Sequence, residues 1–199
     1  MVETLFAQMM ASGALELTAV VFAIAYLLLA VREHIACWYA AFVSTAIFLF
    51  IFFDVKLYME SGLQIYYLAM AGYGWQQWRK GGNEGATLAI STWNVQQHVI
   101  ALALIAVATA SSTFLLHTYT DAELPLLDSL TTWGAIVTTL MVARKILENW
   151  IYWLVIDAIS IYLYLDRELY FTALLFAVYS VIIFFGWATW LRRYRSQTA

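Results

Sequence analysis

The chain is 199 residues long, 64% hydrophobic and only 12% charged, with a mean hydropathy of +0.77. An ordinary soluble domain is roughly 45–50% apolar and 25% charged, so a soluble enzyme is excluded. Ten Lys and Arg against thirteen Asp and Glu give a net charge of −3 without the basic cluster that nucleic acid requires, and a single cysteine, Cys37, cannot close an internal disulfide.

A membrane-spanning helix takes about 20 apolar residues, which leaves room for seven or eight spans and for no separate catalytic domain. In chain order the apolar runs predict seven helices, at 14–31, 35–54, 62–78, 99–117, 126–143, 149–165 and 169–191. Nothing basic precedes the first run and no small-residue cleavage pattern follows it, so 14–31 is expected to be a retained helix. The polar stretch 79–98 contains Gly81, Gly82 and Gly85 and is expected to be a loop that separates two halves.

Lys and Arg in short loops favour the cytoplasmic side. With the N-terminus outside, Arg32, Arg79, Lys80, Arg144, Lys145, Arg192, Arg193 and Arg195 fall inside, and only Lys56 and Arg167 fall outside. The C-terminus is then cytoplasmic, and Asp121 and Glu123 are external. Trp38, Trp75, Trp78, Trp150, Trp187 and Trp190 are expected near the inner interface, where indole rings are enriched.

Shifted without a gap so that Arg32 falls on Arg144, the sequence overlays on itself. In the same register Trp38 meets Trp150, Asp54 meets Asp166, Leu57-Tyr58 meets Leu169-Tyr170, Tyr67 meets Tyr179, Gly74-Trp75 meets Gly186-Trp187, and Trp78 meets Trp190. The repeat unit is three helices, 14–78 and 126–191, with a loop and linker helix at 79–125 between them. The added helix restores the direction of the second unit, so the expected architecture is an all-α membrane protein of seven helices with two parallel repeats in a 3+1+3 order. Parallel repeats are one of the geometries of secondary transporters, whose site lies near the midplane between the repeats. A duplicated bundle without a ligand is the alternative.

An ionisable group deep in a span costs at least about 2.5–3.5 kcal/mol and so needs a reason. Glu16 and Asp128 lie near outer helix ends, and Arg32, Arg144 and Lys145 lie at the interface. His98 and His117 are expected at helix ends in contact with water. Ser111, Ser112, Thr131 and Thr132 either line a pore or bond back to their own helices, and the second reading is the expected one. Asp157 is different, because it stands at the centre of 149–165. Trp150, Trp153, Asp157, Ser160 and Tyr164 follow spacings of three and four and fall on one stripe, with Ile151, Leu154, Val155, Ile156 and Ile159 on the other faces. Two indoles, a carboxylate and two hydroxyls suit a flat cationic heterocycle, which stacks on indole while the carboxylate supplies the counter-charge. The same residues are also compatible with interface anchoring by Trp and a helix-to-helix hydrogen bond from Asp157. Gln64 is a second deep polar group, and its repeat mate is Phe176. No phosphate loop, metal-spaced His/Cys cluster or nucleophile–base pair can be assembled, so neither a cofactor nor enzymatic activity is expected. The seventh span has no lysine for a retinal Schiff base.

Residues 143–160, ARKILENWIYWLVIDAIS, with Leu169-Tyr170 and Tyr73-Gly74-Trp75, resemble the Pnu family of bacterial vitamin transporters from about Leu15 to Trp190. The resemblance implies a seven-helix fold similar to the SWEET sugar transporters and assembly as a homotrimer in the inner membrane. It also implies facilitated diffusion of an unphosphorylated vitamin, trapped afterwards by an intracellular kinase without a stable complex. Trp150, Trp153 and Gln64 match the family's binding positions, and Asn149 belongs to the same motif. Asp157 and Gly72 depart from the nicotinamide riboside pattern, which has Asn at both. Asp at the first position resembles the thiamine-transporting branch, and a carboxylate can also hydrogen-bond an aminopyrimidine. The expected substrate is therefore thiamine ahead of nicotinamide riboside, with riboflavin a further option. A SWEET-like sugar carrier and a non-transporting ligand-binding subunit are the alternatives.

Overall fold

A computed structural model describes residues 13–54, 58–80, 88–120, 124–166 and 170–198. Among the described residues there are seven α-helices and no strand: α1 (Ala14–Val31), α2 (Cys37–Asp54), α3 (Tyr58–Lys80), α4 (Val95–Tyr119), α5 (Pro125–Ala143), α6 (Asn149–Asp166) and α7 (Tyr170–Thr198). Four of the helices, α1, α4, α5 and α7, contain segments long and apolar enough to cross a membrane, and α2 has a shorter apolar stretch. Lys56, Leu57, Gly81, Gly82, Gly85, Asp121, Glu123, Arg167 and Leu169 lie outside the described residues.

Helix starts and stops follow local chemistry. Asn94 accepts from the Gln97 N–H at 2.9 Å while the Gln97 side chain accepts from the Asn94 N–H at 2.8 Å, a capping box that begins α4. Pro125 opens α5 where its missing N–H is not needed. Glu16 and Asp128 sit in the first turns of α1 and α5, where a carboxylate favours the helix dipole.

The turns after α1 and α5 are built alike. Glu33 and Lys145, which overlay in the repeat, both adopt left-handed φ values, of 54° and 51°. The N–H of His34 reaches the Leu29 carbonyl and the N–H of Ile146 reaches the Met141 carbonyl, both at 2.9 Å. This is a Schellman closure with a non-glycine residue at the position glycine usually takes. Among the described residues the linker straps the second turn: Ser91 exchanges backbone hydrogen bonds with Lys145 and Leu147, and Trp93 N–H donates to Glu148 at 3.3 Å.

Helix α2 packs on α1 and α3, and α6 packs on α5 and α7. Between these groups α3 meets α5, and α7 meets α1, so the pairing pattern maps onto itself when the two repeats are exchanged; α4 lies against α5. The C-terminal ends of α1, α3, α5 and α7 gather in one layer. There Trp78 donates to the Val142 carbonyl at 3.3 Å and Trp190 to the Ala30 carbonyl at 3.0 Å. The layer's core holds Trp38, Trp78, Trp150 and Trp190, in contact as a chain of rings with separations of 5.4, 6.2 and 5.3 Å. Gly74 and Gly186 are close-approach positions: a Cβ at either would enter the Trp38 or Trp150 indole, at 2.5 Å in the latter.

Within this layer Trp38, Trp78, Trp150 and Trp190, expected near the inner interface, are surrounded by protein, since the glycines bring two helix backbones onto the rings of Trp38 and Trp150; Trp75 and Trp187 remain half-buried. Lys145, expected at the interface, is likewise buried in protein, and Glu33 meets its ammonium at 2.8 Å.

Candidate functional site

Helix α6 presents a buried face and an exposed one. Trp150, Asp157 and Ser160 are buried and Trp153 and Tyr164 half-buried, whereas Ile151, Val155 and Tyr162 are exposed. The buried side is wider than the polar stripe, because Ile156 packs over Gly134 of α5.

Asp157 stands eight residues from Asn149 and nine from Asp166, about 12–13 Å from each end of the helix. It is 2% exposed, and its Oδ2 has no hydrogen-bond partner. A carboxylate oxygen left unpaired at this depth is expensive unless a ligand supplies the missing partner. Tyr179 of α7 lies within electrostatic reach of Asp157, and Tyr67 of α3 stands in the same relation to Tyr164. The Tyr164 ring is 5.2 Å from Phe176, which is 5.6 Å from Tyr179. These three rings join α6 to α7, and Tyr179 is the one within electrostatic reach of the carboxylate. Neither Tyr67 nor Tyr179 is among the site residues expected from the sequence, although their coincidence in the repeat is a signal that could have found them.

The other expected site residues divide. Asn149 begins α6 fully buried, donates from Nδ2 to the Ile146 carbonyl at 2.6 Å, and keeps Oδ1 without a partner. Trp150 lies edge-on to Trp190 over Gly186, with its indole N–H unpaired. Both belong to the C-terminal layer, about 10–12 Å along the helix from Asp157. Trp153 packs half-buried against the same core, between the two levels. Gln64 is half-buried on α3, two residues before Tyr66, whose hydroxyl donates to the Ile136 carbonyl of α5 at 2.7 Å. An open groove of about 230 Å³ runs elsewhere, bordered by Trp38, Tyr39, Phe42, Ala71, Gly72 and Trp75, and it includes none of the expected site residues.

Among the remaining polar groups, Ser111 and Thr131 bond back to their own helices at 2.9 and 3.0 Å. Ser112 accepts from the Trp133 indole at 2.8 Å, tying α4 to α5. His98 lies in the first turn of α4, as expected, and is half-buried there, 2.9 Å from the Tyr152 hydroxyl and stacked on that ring, because the strapped linker lays the start of α4 beside α6.

Residues 13–192 match the family described as nicotinamide mononucleotide transporter. The riboflavin/roseoflavin transporter RibM of Streptomyces davaonensis is 28% identical over 177 residues, 86% of this chain and 82% of that protein. The nicotinamide riboside transporter PnuC of Escherichia coli is 24% identical over 195 residues, 85% and 81% of the two chains. A crystal structure of the vitamin B3 transporter PnuC superposes with a TM-score of 0.76 at 21% identity, over 98% of this chain and 90% of that one, and so shares the fold. The resemblance carried by residues 143–160 holds over nearly the whole length. The chain is a multi-pass membrane protein that belongs to the nicotinamide mononucleotide transporter (PnuC) family.

Proposed function

We propose that this protein carries an unphosphorylated cationic B vitamin across the bacterial inner membrane by facilitated diffusion, with thiamine preferred over nicotinamide riboside. The observation that carries the reading is Asp157: a buried carboxylate at mid-helix with an unpaired oxygen, within electrostatic reach of Tyr179. Thiazolium and pyridinium both bring a fixed positive charge that ionised Asp157 would balance and aromatic faces would stack on. Thiamine adds an aminopyrimidine able to donate to the second carboxylate oxygen. Asp157, Trp153, Ser160, Tyr164 and Gln64 form the substrate path, and Asn149 and Trp150 close it on one side. The vitamin class is supported by the relatives, named as transporters of riboflavin and of nicotinamide riboside.

The architecture is read as two parallel three-helix bundles, 14–78 and 126–191, joined by 79–125 in the 3+1+3 order of SWEET transporters. Support comes from the repeated turns at Glu33 and Lys145 and from the reciprocal bonds of Trp78 and Trp190 in one layer. The Lys and Arg distribution favours a cytoplasmic position for that layer, with the N-terminus outside. The working unit is a homotrimer with one path per protomer, and an intracellular kinase traps the vitamin. Membership of a vitamin transporter family favours neither a sugar carrier nor a non-transporting subunit.

Riboflavin is the second reading, favoured by the 28% identity to RibM. Titration of intrinsic tryptophan fluorescence in detergent, with thiamine, nicotinamide riboside and riboflavin in parallel, separates the three. Saturable quenching by thiamine at the lowest concentration supports the proposal, and tighter binding of either competitor reassigns the substrate.

A further inference from the structure

We infer that the buried Glu33–Lys145 ion pair is the gate that closes the vitamin path at its cytoplasmic end. The inference rests on the transport reading and adds to it a moving part. Glu33 belongs to the turn after α1, and Lys145 to the turn after α5. Their carboxylate and ammonium meet at 2.8 Å with side chains 8% and 3% exposed. Each charge has a second partner across the same seam. Arg193 of α7 meets Glu33 at 2.8 Å, and Lys145 lies 4.7 Å over the Trp78 ring of α3. The two indole bonds, Trp78 to Val142 and Trp190 to Ala30, cross the seam beside them. Any separation of the two helix groups at this end has to break this set together.

The chemistry of the pair suits a gate better than a permanent staple. A permanent seam is served as well by apolar packing, since replacing a buried ion pair with hydrophobic residues is often neutral or stabilising. A seam that opens to water is served better by charges, because water then solvates both groups, whereas an opened apolar seam exposes its surface. The positions are also repeat mates, so identical residues there would set like charges or like shapes face to face; Glu against Lys makes the contact attractive only between unlike halves. Finally, both residues hold left-handed backbones that glycine would adopt with less strain, so their side chains have work beyond the turn.

Cys37, the only cysteine, is fully buried three residues beyond His34 in this layer and lies within electrostatic reach of Lys145. It is a native reporter. In sealed membrane vesicles of known sidedness, the rate of Cys37 labelling by a membrane-impermeant maleimide is measured from each face for the wild type, Lys145→Met, Glu33→Gln and the milder Arg193→Gln. Loss of one charge-assisted contact is expected to raise labelling from the cytoplasmic face about tenfold for the first two variants. A rise of a few-fold is expected for Arg193→Gln, whose side chain is half exposed. Labelling from the outer face stays at the wild-type rate. Equal rates in all four proteins would overturn the gate, and so would a rise from both faces, which marks local unfolding. Labelling reads opening whether or not a vitamin moves. Thiamine counterflow by the wild type in the same vesicles therefore tests the transport reading separately.

Discussion

Trp78 and Trp190 are repeat mates, and each donates its indole N–H to a backbone carbonyl of the opposite half, Val142 and Ala30, which are repeat mates in turn. The exchange is reciprocal, and the two rings touch at 6.2 Å. The same side-chain-to-backbone bond thus occurs twice, at positions that overlay in the sequence, and ties α3 to α5 and α7 to α1 at one end. The opposite end of the seam has no matching pair of indoles among the described residues.

Replacing either tryptophan by Phe removes the donor while keeping most of the ring. Each variant is expected to lose about 0.5–1.5 kcal/mol of stability, the net worth of a hydrogen bond, and the two losses should be alike. Thermal unfolding in detergent, followed by fluorescence of the remaining indoles, checks both. A large difference between Trp78→Phe and Trp190→Phe would show that the repeat is not energetically symmetric here.

Gly74 and Gly186 test the packing of the same layer. Ala at either drives a methyl into the Trp38 or Trp150 indole, and such overpacking costs about 1–3 kcal/mol. Gly72→Ala is the control, because a Cβ there meets nothing within 4 Å. It should leave the melting temperature unchanged or slightly raised, as Ala is the better helix former.

Much of the fold was legible in the sequence, and the reasons are physical. Apolar runs place the spans because the bilayer demands them, and α1, α5 and α6 match the expected bounds to within a residue. Helices α3 and α7 run past theirs, to Lys80 and Thr198, because backbone hydrogen bonding continues where apolar character stops. The capping box at Asn94 likewise starts α4 four residues before the apolar run, inside the stretch whose composition reads as loop. Partners across the fold were not legible. Nothing near Lys145 in sequence announces that Glu33 will meet it, nothing near His98 announces Tyr152, and a tryptophan against protein has the same local pattern as one against lipid. At the candidate site, the depth of Asp157 and the stripe on α6 were readable from spacing. The repeat singles out Tyr179 and its mate Tyr67 in the sequence, but that Tyr179 comes near Asp157 depends on how α6 and α7 pack.

Asp157→Asn keeps the shape and removes the charge. Thiamine affinity should fall at least about tenfold, the loss of one charge-assisted contact, and preference should move towards nicotinamide riboside. Fluorescence titration of the purified variant with both vitamins reads the ratio directly. Unchanged relative affinities would make Asp157 a structural group.

With the membrane potential clamped at zero, facilitated diffusion of a cation predicts a plateau at equal concentrations on the two sides. Under that clamp neither a proton nor a sodium gradient imposed on proteoliposomes should change the plateau, since a carrier without a coupled ion shifts only rates. Uphill accumulation under either gradient would require a coupling ion.

Counterflow of labelled thiamine into proteoliposomes preloaded with unlabelled vitamin, wild type beside Asp157→Asn, tests the cation site most directly. The wild type should show transient accumulation, abolished by excess external thiamine and reduced at least about tenfold in the variant. Equal counterflow by both proteins, or counterflow of riboflavin with none of thiamine, would contradict a cation site built on Asp157.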